Sequence, residues 1–210
     1  MTVFNPFPDL TTTLKPSYFK RWTVQDYHRM SEFGILKANE RTELIDGQIV
    51  LMVAKGTAHV LTLRLLASVL EDLLADQPVF ISTQDPIQLD DFSEPEPDLA
   101  IVRGTALDYV DHHPRSREIC LVLEVADSTL KQDCEIKAKL YAQAEITDYW
   151  VVDLPNRQLH IFQNPTPKGY TSHLILTEPN LISLPTFPNL SLTLTSILPP
   201  QRSPVNNPFD

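Results

Sequence analysis

ICLVLEVADSTLKQDCEIKAKLYAQAEITDYWVVD, residues 119–153, decides the fold. It opens on an almost continuous apolar run, Ile119–Val125, and closes on a second, Asp148–Asp153. Runs of this length without polar alternation mark strands covered on both faces. Between them, residues 129–144 carry Leu130, Cys134, Ile136, Ala138, Leu140, Tyr141 and Ala144 on one helical face. Lys131, Gln132, Glu135, Lys139 and Gln143 fall on the other. A strand, a helix and a strand in that order form a right-handed parallel crossover. The expected class is therefore α/β, a central mixed sheet with helices on both faces.

One residue breaks the pattern. Lys137 lies in the middle of the apolar helix face, one turn from Asp133 and one turn from Tyr141. A lone ammonium against a sheet is costly, so it needs a partner. Snorkelling past the sheet edge, or pairing with Asp133 four residues away, would satisfy it without any function. Buried charges also mark sites, and two carboxylates lie within reach in the inferred sheet. Glu124 stands near the end of the buried strand, and Asp98 opens a short strand, Asp98–Val102. If those strands pair antiparallel, the two carboxylates meet. They then repel unless one is protonated or a cation lies between them. Taken singly, Asp98 reads as loop chemistry after a proline and Glu124 as a strand end reaching water.

The remaining elements follow outward from this unit. Thr23 with Asp26 resembles a capping box opening a helix to about Phe33. Glu43-Leu44-Ile45 and Gln48–Met52 flank Asp46-Gly47, a dipeptide suited to a type I′ hairpin turn. From Ala58 to about Ala75, Val60, Leu63, Leu66, Leu70, Leu73 and Leu74 share one helix face. Strands are expected at Val79–Thr83, Ile87–Leu89, Leu159–Gln163 and Tyr170–Thr177. The acidic stretch 90–97 reads as a loop, and residues 104–117 read as a polar connection with one helical turn. Residues 1–20 read as an extended arm, 21–198 as one domain, and 199–210 as a disordered tail.

Composition limits the function. Apolar residues make up 42% and charged residues 21%, which is ordinary globular usage. No run is long and apolar enough for a membrane span, and no cleaved signal is expected at the N-terminus. Two cysteines, Cys120 and Cys134, make neither a disulfide scaffold nor a four-cysteine zinc site, so a cytoplasmic location is expected. A net charge of −10 argues against holding nucleic acid by bulk positive charge. It is compatible with a site that recruits a divalent cation through carboxylates. There is no Gly-rich phosphate loop and no G-x-S-x-G. Asp111-His112-His113 looks metal-like, but neighbouring loop side chains point apart, and a solvated loop is the expectation.

An ordered set of segments resembles the PD-(D/E)XK restriction-endonuclease-like superfamily, and within it the endonuclease family often called Uma-two. The pieces are Glu43-Leu44-Ile45-Asp46-Gly47, His59 at a helix start, Glu96-Pro97-Asp98-Leu99 and Leu121-Val122-Leu123-Glu124-Val125. Asp133, Lys137 and Tyr141 follow, then Asp148-Tyr149-Trp150-Val151-Val152-Asp153. They span roughly residues 20–195. The superfamily's usual lysine stands two residues after the Glu, where this chain has Ala126; Lys137 fits a lysine displaced to the helix.

The resemblance implies a restriction-endonuclease-like core with an extra N-terminal hairpin and extra C-terminal strands. It implies Mg²⁺- or Mn²⁺-dependent hydrolysis of DNA, with Asp98, Glu124 and the carbonyl of Val125 as metal ligands. Lys137 would orient or deprotonate the attacking water or offset transition-state charge, and Glu43 and His59 would be further site residues. A homodimer is expected, because two-fold pairing presents two sites to a two-stranded substrate. The rival reading is a nucleic-acid-binding or assembly module that keeps the fold without hydrolysis, and a small-molecule metallohydrolase stands behind both.

Overall fold

The structure is a computed structural model that describes residues 19–37 and 39–200. The expected arm and tail fall almost wholly outside the described residues. A six-stranded mixed sheet forms the centre, in the order β3 (Val79–Ser82), β4 (Leu99–Arg103), β5 (Ile119–Ala126), β6 (Asp148–Asp153), β7 (Gln158–Thr166) and β8 (Gly169–Thr177). Only β5 and β6 run parallel, which is the crossover that residues 119–153 encode. Both strands are buried along their whole length. A hairpin of β1 (Thr42–Ile45) and β2 (Gln48–Leu51) precedes the sheet, and a second of β9 (Leu181–Leu184) and β10 (Phe187–Thr193) follows it.

Helix α1 (Val24–Glu32) starts on the expected capping box: Thr23 accepts from the Asp26 backbone, and Asp26 accepts in return. In the first hairpin, Asp46 and Gly47 adopt φ of 49° and 76°, as a type I′ turn needs. Glycine is also needed at 47 for space, since a Cβ there would stand 2.6 Å from Cβ of Arg21.

The sheet sorts its side chains by parity. Leu99, Ile101, Leu121 and Leu123 face α2 (Thr57–Leu74), meeting Leu63, Leu66, Leu70 and Leu74. Ala100, Val102, Val122 and Ala126 face the other way, onto Ala138 and Tyr141 of the helix spanning 130–143 (α3). Among the described residues, no helix is long and apolar enough to cross a membrane. Cys120 and Cys134 are both free.

Three details depart from the sequence expectation. Residues 87–89 make no strand, only a single bridge from Gln88 to Arg115, because the segment before the acidic loop finds no strand alongside it. Val60 is 39% exposed and lies outside the buried face of α2. Ile136 is 56% exposed rather than inward. Its cause is a π turn over Gln132–Lys137, where the Ala138 N–H donates to the Asp133 carbonyl five residues back. The wider turn shifts the faces of α3 out of α-helical phase and turns Ile136 to solvent.

Leu66→Ala should cost about 2–5 kcal/mol in urea unfolding, because Leu66 is fully buried between α2 and the sheet. Val60→Ala should change stability by less than about 0.5 kcal/mol.

Candidate active site

Strand register brings the carboxylates together. In the antiparallel β4–β5 pair Leu99 lies opposite Leu123, so Asp98 and Glu124 stand side by side on the face that α3 covers. The Asp98 N–H donates to Glu124 Oε2 at 3.3 Å, and the Val125 N–H donates to Asp98 Oδ2 at 2.9 Å. Glu43 arrives from the hairpin. The Leu44 N–H and carbonyl pair with Glu94 at 3.2 and 2.8 Å, and the Glu96 N–H donates to Glu43 Oε2 at 3.2 Å. The hairpin is thereby laced to the acidic loop, and Ser93 and Glu94 of that loop are buried.

Lys137 closes the group from α3. Its Nζ lies 2.9 Å from Glu124 Oε1 and 3.3 Å from Glu43 Oε2. The lysine pairs with neither solvent nor Asp133, whose carboxylate accepts instead from the Thr129 hydroxyl at 2.6 Å. Tyr141, one turn on, donates to Glu124 Oε1 at 3.1 Å. In the π turn the Asp133 carbonyl accepts from the Ala138 N–H and also from the Tyr149 hydroxyl, the latter at 3.1 Å. Lys139 is exposed.

His59, near the start of α2, reaches round the sheet end to place Nε2 2.9 Å from Asp98 Oδ2. The structure thus gathers all the expected residues — Glu43, His59, Asp98, Glu124, Val125 and Lys137 — around one cleft of about 100 Å³. It adds Lys55, whose Nζ is 3.3 Å from Asp98 Oδ1, and Gln84, whose amide donates to the same oxygen at 3.3 Å. Neither carries a sequence signal: a lysine or glutamine in a loop violates no pattern.

Glu43, Asp98, Glu124 and Asp133 are all buried, and among the described residues Lys137 and Lys55 are the lysines that pair with them. Burial pushes Glu124 up to about 8; Lys137 counteracts this, but Asp98, Asp133 and Glu43 add to it. Burial also tends to raise Asp98, yet hydrogen bonding and charge from His59, the Val125 N–H and Lys55 together bring it down to about 2. Burial disfavours the Lys137 ammonium, but Glu124 and Glu43 outweigh it and hold the lysine above its ordinary value. Lys55 is lowered by burial, partly offset by Asp98. Burial raises Asp133 and Tyr141 too, and leaves Tyr141 a neutral donor.

The donor set fits a hard divalent cation. Carboxylate oxygens outnumber the buried positive charges, and an added cation would stabilise the Glu124 carboxylate that burial and its acidic neighbours disfavour.

The sequence model of the Uma2 family, described as "Putative restriction endonuclease", matches residues 24–195. A crystal structure described as "a putative nuclease belonging to DUF820", from Anabaena variabilis, superposes with a TM-score of 0.64 at 12% identity, covering 83% of this chain and 96% of that one. At that identity the likeness concerns the fold. No curated protein matches the chain.

The two acids have opposite effects on stability. Asp98 is lowered from 3.8 to about 2, so it stabilises the fold above pH 4, and that contribution is lost as pH falls through 2. Glu124 is raised from 4.5 to about 8, so folding disfavours its carboxylate and stability declines as pH rises from 4.5 to 8. In a chelator, the protein should melt several degrees lower at pH 8 than at pH 5. Glu124→Gln, neutral at both, should remove most of that difference in calorimetric melting.

Proposed function

The chain belongs to the Uma2 family, and from that membership we propose that it is a metal-dependent endonuclease hydrolysing DNA phosphodiester bonds. The observation that carries the reading is the convergence of Asp98, Glu124 and Lys137 in one cleft, from two adjacent strands and the helix that covers them. Asp98 and Glu124, with the Val125 carbonyl, would hold Mg²⁺ or Mn²⁺. When bound, the cation supplies an acidified water and offsets charge on the phosphate oxygens.

The protein's own groups divide the rest. His59 and the Val125 N–H fix the orientation of Asp98, as outer partners of metal ligands do. Glu43 and Glu124 hold Lys137 in its charged form. A lysine held that way does not act as the base; it donates a hydrogen bond that orients the attacking water and stabilises the negative charge developing on the phosphate. Tyr141, also neutral, steadies Glu124 from behind. Lys55, at the rim of the cleft, is positioned to contact a phosphate oxygen. The excess negative charge of the chain leaves this local pair of lysines and a bound cation to attract the substrate, in place of a basic surface.

The homodimer belongs to the same reading. Strand β8 pairs only with β7 among the described strands, and it exposes Leu174 and Ile175. Light scattering at micromolar concentration should give twice the chain mass.

Plasmid and single-stranded DNA should be cut in the presence of Mg²⁺ or Mn²⁺ and remain intact in a chelator. Asp98→Asn should weaken Mn²⁺ binding in calorimetry by more than tenfold and abolish cleavage. Lys137→Met should abolish cleavage while Mn²⁺ still binds. In the metal-free state it should cost about 3–5 kcal/mol, because Glu124 and Glu43 lose their shared partner. Cleavage that survives Lys137→Met would rule the mechanism out.

A further inference from the structure

A second group of ligand-bearing side chains lies outside this cleft. His28 of α1, Glu94 of the acidic loop and His113 of the 104–117 connection offer ligand atoms that all lie within 4.8 Å of one another. His28 Nε2 is 2.7 Å from Glu94 Oε1, and the His113 ring stands edge-on to that of His28, with centroids 6.2 Å apart.

Glu94 is the telling residue. It is 4% exposed, and its second oxygen, Oε2, is buried without a hydrogen-bond partner among the described residues. A buried carboxylate oxygen without a donor is costly unless something else binds it. The three residues line an open cleft distinct from the one around Asp98.

The backbone holds each ligand in place independently. The Thr23 capping box fixes the start of α1, both backbone groups of Glu94 bond Leu44, and His113 precedes Pro114, whose carbonyl accepts from Gln88 at 2.9 Å. His112 lines the same cleft but is not in the group; it is bonded to Asp111 at 2.6 Å and packed on Tyr109. Of these two neighbouring histidines, His113 is the one that joins the group.

We propose that His28, Glu94 and His113 form a second metal site, which takes Zn²⁺ or a similar transition-metal dication. Two imidazole nitrogens and one carboxylate oxygen suit such an ion, whereas the all-oxygen set at Asp98 and Glu124 suits Mg²⁺ or Mn²⁺. Three protein ligands leave a fourth position facing the open cleft, where water completes the shell. The ion ties α1 and the 104–117 connection to the loop that braces the first hairpin.

The test uses the full chain freed of metal and titrated with Co²⁺, a visible-absorbing stand-in for Zn²⁺. One equivalent should bind with intense visible absorption, be displaced by Zn²⁺, and raise the melting temperature. His28→Gln and His113→Gln, both at partly exposed positions, should each weaken Co²⁺ binding by at least the roughly 10–100-fold that loss of an outer-shell partner costs. Asp98→Asn should leave the absorption unchanged, which separates this site from the nuclease cleft. Absorption that is absent in the parent chain, persists in both histidine variants, or disappears with Asp98→Asn overturns the site.

Discussion

A single ammonium group holds together parts of the chain that are far apart in sequence. Lys137 bridges Glu124 on the central strand and Glu43 on the hairpin, and all three are buried. Removing Lys137 strands two carboxylates in a low-dielectric interior, so helix, sheet and hairpin are obliged to meet at this point. The obligation is incomplete: Asp98 and Asp133 add negative charge that one lysine does not balance, and the imbalance appears in the raised proton affinity of Glu124. The same imbalance makes the cleft receptive to a cation. Structural cement and chemical potential are two aspects of one charge arrangement.

Much of this was legible in the sequence because it violated a pattern. Lys137 is a charge on an apolar helix face, and Glu124 is a charge ending an apolar strand, so each drew attention by being out of place. The crossover strands announced themselves by unbroken hydrophobicity, and antiparallel pairing of β4 with β5 then predicted that Asp98 would meet Glu124. Lys55 and Gln84 lie in loops where polar residues are the rule, and only folding shows that they converge on Asp98.

The errors have equally specific causes. Ile136 was assigned inward on an unbroken α-helical period, and one π turn sufficed to turn it out. The acidic stretch 90–97 reads only as a loop by composition. Its backbone instead completes the edge of β1 at Leu44, and Glu94 is buried as a result. His113 reads as solvated because neighbouring loop side chains are expected to point apart, and its meeting with Glu94 is a tertiary contact that no local pattern shows. Local periodicity captures what a residue's own element demands; it does not capture what a loop becomes when a neighbouring strand needs its hydrogen bonds.

The π turn also makes the middle of α3 asymmetric in the length changes it can absorb. A turn closed by bonds five residues apart holds one residue more than an α-helix needs for the same rise. Losing a residue between Gln132 and Ile136 lets the turn relax to regular α geometry, with the segment from Lys137 onward still docked on the sheet. Gaining one offers no such relaxation, because the slack has already been taken up. The region beside the cleft is therefore forgiving of deletion and intolerant of insertion, the reverse of what surface loops allow.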